Sequence, residues 1–413
     1  MSTLTLAIIV VFVLGYALIA MESLTKINKA AVALLMFVFC WVLYMVDPSP
    51  FVQLMHPEFK GIGDQLVTFA NKLITEHLGD TATTLFFLMG AMTIVEIVDQ
   101  NGGFNWVKDV MRSKSKRSLL WKIAFMTFFL SAILDNLTTS IVMIMILRKL
   151  VQDHKDRMIY ASLVIIAANS GGAFSPIGDV TTIMLWNAGM ITAGGVISEI
   201  FIPSLISMII PAFVLQFLLK GKLGGDMLET DHSGDTELLE FNGSQRKIIF
   251  AIGVGGLCFV PVFHYFTDLP PFVGILLVLG ILWTITEIFY RSLHRSKGAS
   301  EDFSKRVSNL LSRIDMSTIL FFLGILMAVA CLEEVGVLHE LGGGLNSFFQ
   351  GNHYAVTGVI GVLSSIVDNV PLVAGSMGMY PVQATGDMAV DGIFWQLLAY
   401  CAGVGGSILI IGS

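Results

Sequence analysis

The chain has 413 residues, of which 55% are hydrophobic and only 13% charged, and its mean hydropathy is +0.78. Soluble domains carry about 25% charged residues, so this composition excludes a soluble globular protein and predicts an all-α polytopic membrane protein. The net charge of −7 decides little, because the positions of the charges set the orientation of such proteins.

Apolar runs near the roughly 20 residues of a membrane helix recur along the whole chain. The first run has no basic leader or small-residue cleavage site, so we interpret it as a retained span. Residues 47–80 are mostly polar and are predicted to form an external connection. The predicted membrane segments are 4–21, 30–46, 81–98, 121–147, 160–190, 197–218, 248–265, 271–290, 316–332, 355–380 and 393 to the end.

Basic residues mark the cytoplasmic side of a membrane protein, and they lie at both ends of segment 121–147. A segment with both ends inside does not cross, so we expect a re-entrant hairpin with Asp135 and Asn136 near its tip. Segment 355–380 has no basic residue at either end and is expected to enter from outside. Hairpins that enter from opposite faces define two inverted-topology repeats.

The acid–amide pair returns as Asp368 and Asn369, and the glycine pair at 171–172 returns at 405–406, at nearly the same offset. We therefore expect two repeats, each with a hairpin and a broken transmembrane helix. The second repeat stops soon after its glycine pair, so we expect a longer natural protein. The predicted parts are an amino-terminal scaffold (1–80), repeat 1 (81–218, with hairpin 121–147 and broken helix 160–190), an acidic cytoplasmic linker (219–246), connecting spans (247–315) and repeat 2 (316–413, with hairpin 355–380 and a broken helix from 393).

Carboxylates are costly in a hydrocarbon environment and usually functional there. Neither hairpin segment offers a Lys or Arg near its aspartate, so both acids are predicted to lack a cationic partner. Oxygen ligands of this kind suit a hard cation such as Na+, and a buried carboxylate beside a second one can exchange that cation for a proton. The alternative is a structural aspartate that caps a turn. The predicted ligands are Asp135, Asn136, Thr138, Thr139, Asp368 and Asn369, with Ser131 and Ser364 one turn earlier in each hairpin.

The run 169–179 contains three glycines and a proline, which do not continue a helix comfortably. We expect it to be unwound, so that carbonyls at the end of one half-helix attract a cation. Asn169 and Ser170 begin this run, while Asp179, Thr181 and Thr182 begin the second half-helix. Ser407 is the counterpart in repeat 2. A proline kink with a simple aspartate cap is the alternative interpretation.

Three motifs resemble those of the NhaD-type sodium/proton antiporters of the ion transporter superfamily, which also holds divalent-anion/sodium symporters and arsenite permeases. They are Leu-Asp-Asn-Leu-Thr-Thr at 134–139, the run 169–182 and Val-Asp-Asn-Val-Pro-Leu at 367–372. The resemblance implies inverted repeats, elevator-like movement of the hairpin domains and a homodimer built on scaffold helices. It implies ion-site roles for Asp135, Asn136, Asp179, Thr181, Thr182, Asp368 and Asn369.

Our leading hypothesis is a transporter in the bacterial inner membrane, surrounded by lipid, that exchanges cytoplasmic Na+ (and Li+) for external protons. It is not an enzyme, needs no cofactor and binds no nucleic acid. The alternative is a sodium-coupled symporter of a dicarboxylate or other anion, which aspartates at both tips disfavour. A membrane-embedded enzyme is the third class, but no nucleophile or metal cluster supports it. Glu333 and Glu334 lie near a predicted span end, where solvation at the interface suffices.

Overall fold

The computed structural model describes residues 2–111, 113, 115–221, 241–297, 313–366 and 368–408. Most of the predicted linker 219–246 and the last five residues of the predicted second broken helix lie outside the described residues. The described helices are α1 (Thr3–Ala20), α2 (Glu22–Thr25), α3 (Lys29–Val46), α4 (Ser49–Met55), α5 (Asp64–Gln100), α6 (Asn105–Met111), α7 (Lys116–Leu134), α8 (Asn136–Leu150), α9 (His154–Ala173), α10 (Val180–Asn187), α11 (Ala193–Leu215), α12 (Gly243–Thr267), α13 (Pro271–Lys297), α14 (Met316–Glu334), α15 (Val337–Phe348), α16 (His353–Ser364), α17 (Asn369–Met379) and α18 (Ile393–Gly405).

Eight helices in the described ranges are long and apolar enough to cross a membrane. They are α1, α3, α5, α7, α11, α12, the part of α13 up to Ser292, and α14. An α-helix satisfies its backbone hydrogen bonds internally, which is why apolar sequence in lipid folds this way. The prediction of an all-α polytopic membrane protein is confirmed.

The chain divides into two compact units. Unit 1 comprises Met1–Phe86, Met184–Thr192 and Asp315–Ser413, and unit 2 comprises Phe87–Ile183 and Ala193–Ile314. The chain passes from one unit to the other within α5 and again within α10. Each unit contains one of the two acid–amide pairs.

In unit 2, α7 and α8 meet at a break, and their far ends both lie beside the start of α9. The Lys116 ammonium is 2.5 Å from the Asp156 carboxylate, so α7 and α9 start side by side. Further along, the Ser131 hydroxyl donates to the Ala168 carbonyl at 2.6 Å, so the two helices run parallel. Since α8 ends at Leu150, just before α9 begins, it runs antiparallel to both.

In unit 1, α16, α17 and α18 are arranged in the same way. The His353 ring, at the start of α16, lies 5.7 Å from the Phe394 ring at the start of α18. The Ser364 hydroxyl donates to the Ala402 carbonyl at 2.7 Å, so α16 and α18 run parallel. Tyr380 follows α17, and its ring lies 4.9 Å from that of Phe394, so α17 returns to the end where α16 began.

Close backbone contacts recur in the two sets of helices. A Cβ atom on Gly171 would lie 2.1 Å from the carbonyl oxygen of Phe128, and one on Gly405 would lie 2.2 Å from that of Gly361. The residues of this contact and of the serine contact above are related by an offset of 233 or 234. Glycine at these positions lets two helices approach until their backbones touch. The spacing of the sequence repeat is therefore also the spacing of equivalent packing contacts.

The largest difference between a predicted and an observed helix boundary is at the start of α5. Helix α5 begins at Asp64, well before the predicted span 81–98. Its first part is polar, but a helix needs no apolar sequence to continue beyond the hydrocarbon region. Local ion pairs such as Lys72 with Glu76, at 3.2 Å and four residues apart, support such an exposed helix.

Candidate ion-binding site at the helix breaks

Asp135 forms the break between α7 and α8. Its backbone has φ 80° and ψ 158°, a conformation that costs a non-glycine residue about 1–3 kcal/mol. Its carboxylate accepts hydrogen bonds from the N–H and the hydroxyl of Thr138, both at 2.7 Å. These bonds cap the first turn of α8 and hold the strained backbone in place.

Asn136 joins three helix ends in unit 2. Its amide nitrogen donates to Asp179 at 2.8 Å and to the side-chain oxygen of Asn169 at 3.2 Å. Its own side-chain oxygen accepts the N–H of Leu137 at 2.8 Å. The start of α8, the last turns of α9 and the start of α10 therefore meet at one carboxamide.

Asp179 is almost completely buried, with 1% of its surface exposed. One carboxylate oxygen accepts the N–H and the hydroxyl of Thr181, at 2.9 and 2.8 Å. The Thr182 hydroxyl donates to the Asp179 carbonyl at 2.9 Å. Asp179 also interacts electrostatically with Asp135. The cluster thus places two carboxylates near each other in a largely buried setting, where a cation or a proton relieves their repulsion.

Six buried hydroxyls have no hydrogen-bond partner within the described residues, and two of them, those of Thr139 and Ser170, belong to predicted site residues. Both residues are fully buried. An unsatisfied buried polar group is costly, and hydroxyl oxygens are ligands that a hard cation accepts. Unit 2 therefore offers carboxylate, amide and hydroxyl oxygens of the kind that a hard cation accepts.

The break between α9 and α10 is shorter than predicted. We predicted unwinding over 169–179, but α9 stays helical through Ala173 and only 174–179 is irregular. A Cβ atom on Gly172 would lie 2.4 Å from the carbonyl oxygen of Gly178. Gly172 therefore allows the backbone at Gly178 to come close to α9, and it does not itself break the helix.

Asp368 forms the corresponding break in unit 1. It caps α17 by accepting the N–H of Val370 at 3.2 Å. Its other carboxylate oxygen lies 3.5 Å from the ammonium of Lys29, at the start of α3. The prediction that neither aspartate has a cationic partner is therefore wrong for Asp368. Local sequence carries no sign of this pair, because the two residues lie at opposite ends of the chain.

Three of the remaining predicted site residues are in unit 1, and the fourth, Ser131, is in unit 2. Asn369 opens α17, and Ser364 is buried and occupied by its bond to the Ala402 carbonyl. Ser407 follows α18, and its N–H donates to the carbonyl of Val404 at 3.0 Å. Ser131 in unit 2 is likewise committed to a backbone carbonyl. Ser131 and Ser364 therefore each fasten the helix before a break to the neighbouring helix.

The sequence patterns did not predict a further polar cluster, which lies around Glu334 in unit 1. Glu334, at the end of α14, is only 6% exposed, so the prediction that solvation suffices there is wrong. Its two carboxylate oxygens lie 2.9 Å from His56 and 2.8 Å from His77. The histidines come from the segment after α4 and from α5. Sequence spacing gave no signal, because three distant segments build the cluster.

These spans, paired helices and polar breaks define a polytopic membrane transport protein. A family model described as citrate transporter (CitMHS) matches residues 16–405. Sodium/proton antiporter 1 of Arabidopsis thaliana is 41% identical over 98% of this chain, which spans 65% of that relative's length. Sodium/proton antiporter 2 of the same plant is 40% identical, over 97% of this chain and 89% of the relative. The Na(+)/H(+) antiporter NhaD of Vibrio cholerae is 28% identical, over 100% and 84%.

The chain belongs to the CitMHS transporter family and to the NhaD-type sodium/proton antiporters. The resemblance found in the three motifs is thereby confirmed. The family is one of transporters and not of enzymes, and it implies no cofactor.

Proposed function

We propose that this protein exchanges cytoplasmic Na+, and also Li+, for external protons. The cluster of Asp135, Asn136 and Asp179 carries the proposal. The buried hydroxyls of Thr139 and Ser170, which have no hydrogen-bond partner among the described residues, add oxygen atoms of the right kind. The relatives named as sodium/proton antiporters support it. Carboxylate, amide and hydroxyl oxygens form the ligand set, as a hard cation requires.

Exchange follows from competition for the same carboxylates. Asp135 and Asp179 repel each other when both are ionised, so the empty cluster binds a positive charge readily. A proton neutralises one carboxylate and removes a ligand for Na+, whereas bound Na+ opposes protonation. Either ion therefore leaves when the other arrives, which couples their movements in opposite directions.

We infer that the α7–α8 and α16–α17 pairs are re-entrant hairpins of two inverted repeats. Basic residues flank the first pair at both ends, and both pairs return to the end at which they begin. Asp368 and Asn369 then form a second acid–amide pair for ion binding, within unit 1. Elevator-like movement of the hairpins, a homodimer and a bacterial inner-membrane location are proposals that rest on the resemblance. The relatives include plant as well as bacterial proteins.

Sodium-coupled anion symport is the second candidate, because the family model is described as a citrate transporter. An anion site needs amides, hydroxyls and helix amino termini without opposing charge. Carboxylates stand at the amino termini of α8, α10 and α17 instead. Uptake of labelled citrate or succinate in the presence of Na+ would support this candidate.

The direct test is proton flux in everted membrane vesicles after Na+ or Li+ is added at alkaline pH. We expect wild-type vesicles to release protons, and Asp135→Asn and Asp368→Asn to abolish the flux. Asp153→Asn is the matched control, because Asp153 also caps a helix but lies outside the cluster. Normal exchange in both site variants would defeat the proposal.

A further inference from the structure

The ammonium of Lys29 lies close to the carboxylate of Asp368. Lys29 is the first residue of α3, and its ammonium lies 3.5 Å from Asp368 and 4.3 Å from the centre of the Phe321 ring. A carboxylate and a ring face both attract a cation. These contacts come from α17 and α14, so the position of the ammonium is set by tertiary packing.

The two acid–amide pairs differ in what holds the aspartate. Asp135 is held by neutral donors, the N–H and the hydroxyl of Thr138. Asp368 faces a positive charge that belongs to the protein itself. The serine and glycine contacts described above are equivalent in the two sets of helices. The partner of the aspartate therefore stands out as a difference between them.

We propose that Lys29 is the internal counter-ion of Asp368, and that Na+ must displace its ammonium to bind there. This inference rests on the proposed function, since it assumes that Asp368 is an ion ligand. Na+ and the ammonium carry the same charge and compete for the same carboxylate, so the Lys29–Asp368 pair sets the affinity of Asp368 for Na+.

The geometry allows such displacement. The side chains of Lys29 and Asp368 are 36% and 27% exposed, so water reaches both and the pair is of the modest strength usual for partly exposed ions. That strength corresponds to an affinity change of about fivefold when the competing ammonium is removed. The aliphatic part of the Lys29 side chain is flexible, so its ammonium can move away from Asp368 into water.

The test is binding of radioactive Na+ to the purified full chain at alkaline pH. We expect Lys29→Met to bind Na+ about fivefold more tightly, and Lys29→Arg to stay close to wild type. Lys26→Met is the matched control, because Lys26 is an exposed lysine three residues before Lys29, and it is expected to change nothing. In the Asp368→Asn background, Lys29→Met is expected to have no further effect.

The outcomes separate this inference from the proposed function. Unchanged or weaker Na+ binding in Lys29→Met overturns the counter-ion role, while wild-type exchange keeps the proposed function. Lys29→Gln, a second neutral variant, is expected to bind like Lys29→Met and replaces it if that variant does not fold. If the wild type binds Na+ but does not exchange it, antiport fails while the affinity shift still decides the role of Lys29. If the wild type binds no Na+, both fail.

Discussion

Asn136→Ala tests whether the carboxamide organises the cluster in unit 2. The substitution removes a hydrogen bond of 2.8 Å to the Asp179 carboxylate and one of 3.2 Å to Asn169. A hydrogen bond to a charged group contributes about 1.5–3 kcal/mol, and a neutral one about 1 kcal/mol. We take a loss of about 2 kcal/mol, which corresponds to about a thirtyfold loss in kcat/KM for Na+.

The assay is Na+-driven proton flux at several Na+ concentrations, normalised to the amount of folded protein. Asn71→Ala is the matched control, because Asn71 is exposed and donates only to its own helix, and we expect less than a twofold change. If Asn136→Ala keeps kcat/KM within about threefold of wild type, the carboxamide does not organise the site and this reasoning is refuted.

Two further substitutions test the close helix contact at Gly171 and the Thr139 hydroxyl, which has no hydrogen-bond partner among the described residues. Gly171→Ala is expected to lower the thermal unfolding midpoint of the detergent-solubilised protein, because its Cβ atom would lie 2.1 Å from the Phe128 carbonyl oxygen and overpacking costs about 1–3 kcal/mol. Gly194→Ala, which meets open space, is the control, and equal midpoints would contradict the packing argument. Thr139→Val is expected to weaken Na+ binding about tenfold without loss of thermal stability, because the hydroxyl has no partner among the described residues. Unchanged Na+ affinity would remove Thr139 from the ligand set.

Local sequence patterns predicted most of the helices and both breaks. Apolar runs of the right length produced the membrane helices, since a chain in lipid has few alternatives to the α-helix. Asp135 and Asp368 were conspicuous because an acid and an amide interrupt an otherwise apolar run, and each does cap a helix. The capping itself agrees with the structural alternative as well as with ion binding.

Glycine was harder to interpret. The low helix propensity of glycine predicts that the pair at 171–172, with Gly178 and Pro176, helps to break the helix. The structural role of this pair is contact between backbones, since a Cβ atom on Gly171 would collide with Phe128. Propensity describes an isolated helix, and close packing of a neighbouring helix overrides it.

Contacts between distant segments could not be predicted. The Lys29–Asp368 pair and the two histidines around Glu334 join residues that are hundreds of positions apart. Charge distribution along one sequence indicates which side of the membrane a residue faces, but it does not indicate which helix packs beside it. The counter-ion of Asp368 therefore emerged only from the tertiary structure.

The central claim is that Na+ and a proton compete for the same carboxylates. Its most direct test is the apparent KM for Na+ measured across a range of pH in vesicles. Below the pH at which the competing proton occupies half of the sites, we predict that KM rises about tenfold for each unit of pH decrease. The maximal rate at saturating Na+ is predicted to stay constant. A constant KM with a falling maximal rate would show that protons act elsewhere and would contradict the account.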